Sequence, residues 1–304
     1  MIQTKQFRDC VWVDAYNPTQ DEVKEILSEY TLDADVVEEL LSPSLKPRIE
    51  RHSEYLYLIL HFPAFKQSYS RDNAQEIDII VGKDFLITTR YDSNESIERF
   101  SKHLEVESVT KKAEIAEPAF FLFFALMDHL YTGSQFEIDN QQDRLKYIES
   151  KIYEGAEKEM VFTISELSRD VLSFKQIISP HKEILKNLAS DWKILFKDAH
   201  KHDVERLIAN YFRIKNNLYG VIDTMHELRL TNDSLLSTKQ NETMKIFTIL
   251  AFVTFPLTLI AGVFGMNTAF TPFVGIKNDF FIIIAIMIAL TLVMFLFFKL
   301  KKWL

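Results

Sequence analysis

The sequence predicts an α+β protein with an N-terminal α/β domain, a long all-α stalk and a C-terminal hairpin of two transmembrane helices. Three observations predict this fold class. Strand and helix patterns are interleaved over residues 1–112, and only helical patterns follow over residues 113–245. Residues 246–304 contain two long apolar segments and a basic tail. The stalk is expected to continue directly into the first apolar segment.

The charge of the chain is concentrated before the apolar segments. The formal net charge is −8 at pH 7. An acidic protein lacks the basic surface that binds phosphates, so we expect no nucleic-acid partner. An acidic body also suits the attraction of cations. The single cysteine, Cys10, excludes an intramolecular disulfide and a zinc site built from several cysteines.

The N-terminal domain is predicted to alternate between strands and helices. Runs of β-branched and aromatic residues indicate strands, and acidic residues near the start of a segment indicate helices. The predicted strands are Val11–Ala15, Tyr55–Phe65, Glu76–Gly82 and Phe85–Arg90, with a short hairpin turn between the last two. The predicted helices are Asp21–Ser28, Ala34–Leu41 and Ser93–Leu104, the last with Ser93 as its N-cap.

The stalk is predicted to be helical throughout. Its helical segments are Pro118–Tyr131, Gln135–Gly155, Phe162–Ser179 and His181–Ala199. Another helix begins near His202, and because no proline occurs before Pro256 it can run unbroken into the first apolar segment. At 1.5 Å per residue this helix is about 90 Å long. A rod of that length is unstable alone in water, which implies lateral packing in a bundle or oligomer.

Two uncharged segments, Ile246–Phe264 and Phe280–Phe298, are each long enough to cross about 30 Å of hydrocarbon as a helix. The loop between them contains one lysine, Lys277. The lysines outside the hairpin are Lys239, Lys245, Lys299, Lys301 and Lys302. The positive-inside rule therefore places both chain ends in the cytoplasm. The N-terminus has no apolar signal-peptide core, so we expect the preceding domain to be cytosolic.

One stripe of the long predicted helix changes character along its length. It contains Asp233, Ser237, Asn241, Met244, Phe247, Ala251, Phe255, Thr258 and Gly262. Spacings of three and four place these residues on one face. The stripe is polar before the membrane segment. Its residues are bulky and apolar where that segment begins, and further along the segment they are small or carry a hydroxyl group. A pore needs wet rings separated by hydrophobic gates. The stripe thus predicts a pore lining shared by several subunits, and a helix–helix seam is the alternative.

The first apolar segment ends with Gly265, Met266 and Asn267. The sequence up to Asn267 closely resembles the first transmembrane helix of the CorA family of magnesium and cobalt transporters, whose signature is Gly-Met-Asn at the outer end of that helix. Pro256 and Thr258 before the tripeptide and the basic end KLKKWL agree with this family. Leu45–Glu50, the following YLYLIL and Phe85–Thr88 resemble its N-terminal domain.

The resemblance implies a funnel-shaped homopentamer in the plasma membrane of a prokaryote, with the first spans around the pore. It implies transport of Mg²⁺, with Co²⁺ or Ni²⁺ as further cargo, driven by the membrane potential and gated by cytosolic Mg²⁺. Gly265, Met266 and Asn267 then form the selectivity filter. Because Mg²⁺ dehydrates reluctantly, a ring of Asn267 amides would bind the waters of the hydrated ion. No cofactor other than this transported and regulatory ion is expected.

A regulatory metal site is also implied by the resemblance, since Mg²⁺ between neighbouring subunits keeps channels of this family shut. Alignment with the family suggests Glu39 and Asp203 as its carboxylates. His200 and His202 beside Asp203 could be interpreted as a transition-metal cluster, but residues two apart lie on different helix faces, and surface histidines are favoured. No catalytic triad, zinc-protease motif or glycine-rich cofactor loop occurs, so we expect no enzyme.

The loop after Asn267 departs from the family pattern. Many members carry Met-Pro-Glu there, whereas this loop has Pro272 and no glutamate, and its only acid is Asp279. A less acidic entrance attracts cations less strongly, which leaves the choice among Mg²⁺, Co²⁺, Ni²⁺ and Zn²⁺ open. Two alternatives to a magnesium channel follow. One is a zinc transporter of the same superfamily, and the other is a membrane-tethered oligomeric scaffold or sensor.

Overall fold

The computed structural model describes residues 1–44, 46–63, 74–110, 117–197, 200–266, 275, 278–301 and 303. The strands are β1 Ile2–Phe7, β2 Cys10–Tyr16, β3 Arg48–Arg51, β4 Leu56–Pro63, β5 Ala74–Val81 and β6 Phe85–Arg90. The helices are α1 Gln20–Tyr30, α2 Ala34–Glu39, α3 Glu95–Thr110, α4 Pro118–Tyr153, α5 Glu157–Ile178, α6 His181–Phe196, α7 Lys201–Phe264 and α8 Asp279–Leu300. The chain forms two compact units, Met1–Arg229 and Leu230–Leu304. The division at residues 112 and 245 stays a prediction.

The six strands form one mixed sheet in the order β1-β2-β6-β5-β4-β3. Strands β2 and β6 pair in parallel, and the other neighbouring pairs are antiparallel. The four predicted strands are confirmed within the described residues, and the sheet adds β1 and β3. The last two residues of the predicted strand Tyr55–Phe65 lie outside the described residues. Both lie at an edge and carry many polar side chains, as edge strands do to avoid pairing with other chains. Edge strands therefore lack the apolar pattern on which strand prediction depends.

One face of the sheet is covered by α1 and α2. Helix α1 begins with a capping box in which the Thr19 side chain accepts from the backbone of Glu22 and the Glu22 side chain accepts from the backbone of Thr19. The buried cluster on this face contains Val13, Ala15, Val23, Ile26, Leu32, Val36, Leu40, Tyr55, Tyr57, Ile59, Ile80 and Ile87. This face also carries the polar residues Glu76 and Asp78 of β5, which lie opposite His61 and Ile59 of β4.

The opposite face of the sheet is covered by α3, α4, α5 and α6. The ring of Trp12 on β2 meets Phe100 of α3 edge to face at 5.3 Å. Between α4 and α6, buried aromatic rings pack around Trp192. Because both faces are covered, β4 is buried along almost its whole length, which explains its nearly continuous apolar sequence.

Two local predictions need correction. Helix α3 is capped by Asn94 instead of Ser93, because the Asn94 side-chain oxygen accepts the Ile97 N–H at 3.1 Å. Helix α4 is continuous for 36 residues, whereas the sequence suggested a break after Tyr131. Serine has a low helix propensity, but the buried Ser134 hydroxyl donates to the Leu130 carbonyl at 3.0 Å. Its hydrogen-bonding requirement is therefore met within the continuous helix.

Helix α7 confirms the predicted continuous rod, with 64 residues and Pro256 in its interior. The hydroxyl groups of Thr254 and Thr258 donate to carbonyls one turn earlier, each at 2.9 Å. Neighbouring hydroxyl groups of this kind help membrane helices tolerate a proline. In the described part of the chain, α7 and α8 are the two helices long and apolar enough to cross a membrane.

Candidate functional site

The predicted stripe on α7 is exposed along its whole length in the single chain. Each of the nine stripe residues is exposed. The largest apolar members are open as well, with Phe255 at 73% and Phe247 at 62% exposure. Large apolar surface left open in one chain marks a face that contacts lipid or another subunit. The stripe is therefore available for contacts beyond the chain.

Helix α8 packs against the other side of α7. The half-buried residues of α7 in this region are Val253, Pro256, Leu257, Ile260 and Phe264. At about 100° per residue, they lie roughly opposite the stripe around the helix axis. The residues of α8 that are half-buried or buried are Ile283, Met287, Leu290, Thr291, Met294 and Phe298. The rings of Phe252 and Phe298 meet at 6.4 Å, so the contact between the two helices leaves the stripe uncovered.

The remaining surface of α8 suits lipid. Its exposed side chains after Asp279 are apolar up to Lys299. The one hydroxyl in this stretch, on Thr291, donates within the helix to the Met287 carbonyl at 2.8 Å. A helix with its polar groups satisfied internally and an apolar exterior can face hydrocarbon. Helix α7 differs, because its open stripe carries polar and small residues.

The start of the predicted filter is a tight turn that ends α7. The Gly265 N–H donates to the Ala261 carbonyl at 2.9 Å, and the Met266 N–H approaches the Val263 carbonyl at 3.4 Å. A Cβ atom on Gly265 would lie 2.9 Å from the Ala261 oxygen, which is closer than real Cβ contacts. Position 265 therefore requires glycine, because the Ala261 carbonyl oxygen leaves no room for a side chain. Asn267, Pro272 and Lys277 lie outside the described residues, and the role of Asn267 stays a prediction.

The model of the CorA-like Mg²⁺ transporter protein family matches residues 8–302. This chain belongs to that family. The cobalt/magnesium transport protein CorA of Thermotoga maritima is 24% identical over 277 residues, covering 88% of this chain and 76% of that protein. The complete structure of the CorA magnesium transporter from Methanocaldococcus jannaschii superposes with a TM-score of 0.84 at 19% identity, covering 99% of this chain and 94% of that one.

A further solved relative is the ZntB cytoplasmic domain from Vibrio parahaemolyticus. It superposes with a TM-score of 0.62 at 15% identity, covering 76% of this chain and 90% of that chain. Identities this low show the shared fold alone. The α+β fold with a long helix and a C-terminal pair of apolar helices is thus the CorA fold.

The two carboxylates predicted for the regulatory site of this CorA family member each have a cationic partner within the chain. Glu39 forms an ion pair with Arg48. Asp203 lies 3.1 Å from Arg206 and 2.7 Å from Nδ1 of His200. Within the described residues, no group of three histidine, cysteine or acidic side chains is placed to hold a metal ion. A regulatory site with Glu39 and Asp203 therefore needs two subunits and stays a prediction.

His200 joins the beginnings of two helices. Its Nε2 lies 3.3 Å from Glu117, just before α4, and its Nδ1 contacts Asp203 in the first turn of α7. His202 is exposed and lies outside this contact. His200 and Asp203 line an open cleft of about 450 Å³ between α4 and α7. The sequence did not predict the contact between His200 and Glu117, because the two residues are far apart in the chain and no local pattern indicates that they pair.

Proposed function

We propose that this chain is a subunit of a channel for divalent cations, with Mg²⁺ as the main cargo and Co²⁺ and Ni²⁺ as further cargo. The observation that carries the proposal is the open stripe of α7, which lies opposite the contact with α8 in a member of the CorA-like family. Two helices cannot enclose a pore, so the stripes of several copies must surround it. The names of the curated relatives support magnesium and cobalt as cargo.

The assembly that we propose is a homopentamer in a prokaryotic plasma membrane. Each α7 contributes its stripe to the axis, and each α8 faces lipid. Both chain ends are cytoplasmic, because Lys245 and Lys299 flank the cytosolic side of the hairpin. In this arrangement Asp233, Ser237 and Asn241 line the cytosolic end of the pore, ahead of the membrane segment. The division into an α/β domain, a stalk and a membrane hairpin belongs to the same proposal.

Conduction in this proposal begins at a ring of Asn267 side chains, which bind the waters of a hydrated ion. Amides bind less tightly than carboxylates, so the ion can leave. Thr258 and Gly262 continue the wet path, whereas Phe255 and Phe247 form apolar rings that close by dewetting. An inside-negative potential of 100 mV supplies about 4.6 kcal/mol for a divalent ion, so uptake needs no ATP.

Mg²⁺ uptake into proteoliposomes under an imposed inside-negative potential tests the proposal. We expect uptake that is inhibited by cobalt hexaammine, a mimic of the hydrated ion. Asn267→Ala should abolish flux while the oligomer is retained. Asn278→Gly is the matched control, because Asn278 has a left-handed φ of 76° that glycine also adopts, and its flux should equal that of the wild type. Absence of uptake by the wild type would favour the tethered scaffold or sensor, and unchanged flux in Asn267→Ala would reject Asn267 as the filter.

A zinc transporter of the same superfamily is the second candidate. The fold shared with the ZntB cytoplasmic domain and the loop without glutamate favour it. Competition between Zn²⁺ and Mg²⁺ for uptake into the same liposomes decides between the two. Preferred Zn²⁺ uptake accompanied by a change of internal pH would establish proton-coupled zinc transport. Mg²⁺ uptake that excess Zn²⁺ fails to inhibit would reject zinc as the main cargo.

A further inference from the structure

A pair of buried carboxyl groups lies under α2. Glu76 and Asp78 are two residues apart on β5, so both point to the sheet face that α1 and α2 cover. Asp78 is 1% exposed and Glu76 is 7% exposed. Burying one carboxylate is costly unless it is paired or hydrogen-bonded, and burying two together is costlier. The partners of the pair therefore decide its charge.

Glu76 has donors for both of its oxygens. Its Oε1 and Oε2 lie 2.8 and 2.7 Å from the backbone nitrogen of Ser44, in the segment between α2 and β3. His61 Nε2 lies 3.1 Å from Oε2 and 3.0 Å from the Ser44 carbonyl. Glu76 thereby holds the segment around Ser44 against the sheet, and it does so as an acceptor.

Asp78 is only partly satisfied. Its Oδ2 lies 3.0 Å from the Tyr91 hydroxyl, which also approaches the Glu39 carbonyl at 3.3 Å. Its Oδ1 is buried and has no hydrogen-bond partner among the described residues. The neighbouring polar group on the same face of β5 is the Glu76 carboxyl, two residues away along the strand. Two ionised carboxylates have only acceptor oxygens, so they can pair only if one of them carries a proton.

The cations that face the pair in the described part of the chain compensate for only part of its charge. The charged and titratable groups that face it from neighbouring elements are Glu39 of α2, Arg48 and Glu50 of β3, Tyr57 and His61 of β4, and Tyr91 after β6. Arg48 is already bound by Glu39 and Glu50. No described group of three suitable ligands could hold a metal ion here. A proton is the remaining way to neutralise Asp78.

We propose that Asp78 and Glu76 bind one proton between them, with Asp78 Oδ1 donating to the Glu76 carboxylate, and that this proton fastens the segment between α2 and β3 to the sheet. Loss of the proton leaves two adjacent buried carboxylates that repel each other. Their separation weakens the Ser44–Glu76 and Tyr91–Glu39 contacts, which hold this segment. The inference concerns the unit Met1–Arg229 and is independent of ion transport by the protein.

The electrostatics agree with this geometry. Burial is the main cause that raises the pKa of Asp78 well above its usual value, and the charge of Glu76 raises it further. Above the unfolded pKa of about 3.9, the folded chain keeps a proton that the unfolded chain loses. Folding stability from this group is therefore complete below the unfolded pKa and decreases as pH rises toward the folded pKa.

Infrared spectroscopy of the full chain in detergent detects the proton directly. At about pH 6 an unperturbed aspartate is ionised, so a C=O stretch of a protonated carboxyl should come from this pair. The wild-type band should disappear as pH rises, and Asp78→Asn should lack it throughout. Asp84→Asn, at an exposed aspartate in the β5–β6 turn, should keep it. Absence of a wild-type band at this pH would overturn the proposal, with no variant needed.

Hydrogen exchange at the Ser44 amide tests the mechanical consequence. The exchange rates are first corrected for the intrinsic pH dependence of amide exchange. Protection in the wild type should then fall by at least about tenfold between about pH 6 and pH 9, because a pKa shift of one unit corresponds to a tenfold change in the opening equilibrium. Asp78→Asn should keep its protection, because an amide N–H donates to Glu76 at any pH. Asp84→Asn should behave as the wild type does. Constant wild-type protection, or an equal loss in Asp78→Asn, would contradict the proposal.

Discussion

The Tyr131 hydroxyl of α4 lies 2.9 Å from Nδ1 of His181 at the beginning of α6. The other ring nitrogen, Nε2, donates to the backbone carbonyl of His61 on β4 at 2.8 Å. Because burial favours the neutral ring, Nδ1 carries no proton and accepts the tyrosine hydroxyl proton. Burial lowers the pKa of His181 to about 4. One imidazole thus joins two helices to the sheet, and its charge state affects all three elements.

Acid should destabilise the N-terminal unit through His181. The folded pKa lies below the unfolded value of about 6.5, so the contribution is complete above pH 6.5 and is lost as pH falls toward 4. We expect a loss of up to about 3 kcal/mol, measured by chemical denaturation of the full chain in detergent. Exposed His202→Gln should leave this pH dependence unchanged. Because Asp78 acts in the opposite direction over the same range, the test compares the wild type with His181→Gln. An equal loss of stability in the two proteins between pH 7 and about pH 4 would contradict the buried neutral ring.

Removing Asp14 should strongly destabilise the sheet. Asp14 Oδ2 lies 3.1 Å from Nη2 of the buried Arg90, and its Oδ1 accepts from Thr88 at 2.7 Å. Asp14→Ala removes the buried, hydrogen-bonded counter-ion of the guanidinium and leaves only the more distant Glu98, at a cost of about 3–5 kcal/mol. Glu98→Ala is the control, because Glu98 is half exposed and 3.6 Å from Arg90. Its cost should stay below about 1 kcal/mol in the same denaturation assay.

The two neighbouring phenylalanines of the first span should respond differently to truncation. Phe255→Ala should remove an apolar ring of the proposed pore and raise Mg²⁺ leak through the closed state of the proposed channel, because a wider constriction stays wet. Phe252→Ala should weaken packing against Phe298 and lower thermal stability without increasing leak. Both are measured as Mg²⁺ flux in proteoliposomes at high internal Mg²⁺. Equal leak in the two variants would argue against a pore along the predicted stripe.

Regulation through Glu39 and Asp203 makes a separate prediction. If Mg²⁺ is shared between these carboxylates across a subunit interface, Glu39→Gln or Asp203→Asn should raise the internal Mg²⁺ concentration that halves the flux by about tenfold. The double variant should then add little, because either change already breaks the site. Glu38→Gln, at an exposed position of α2, is the control. An unchanged inhibitory concentration in both single variants would exclude this site.

The long helix and the two spans could be predicted from the chain because their signals are local. Uncharged segments of sufficient length and the absence of proline between His202 and Pro256 are visible residue by residue. The strands β4, β5 and β6 were predictable for the same reason, since buried strands are continuously apolar. The stripe of α7 also follows from helical spacing alone. Its exposed position opposite α8 became visible only in the packed hairpin.

The strand order, the pairing of charges and the burial of individual acids depended on residues far apart in the chain. Nothing near Asp78 in the sequence indicates that it is buried beside Glu76, and the parallel pairing of β2 with β6 brings Asp14 to Arg90 only after folding. Edge strands β1 and β3 escaped prediction because their exposed polar faces carry no apolar pattern. Periodicity therefore determined which segments became helices and membrane spans. Packing between residues far apart in the sequence determined which polar groups became buried and desolvated.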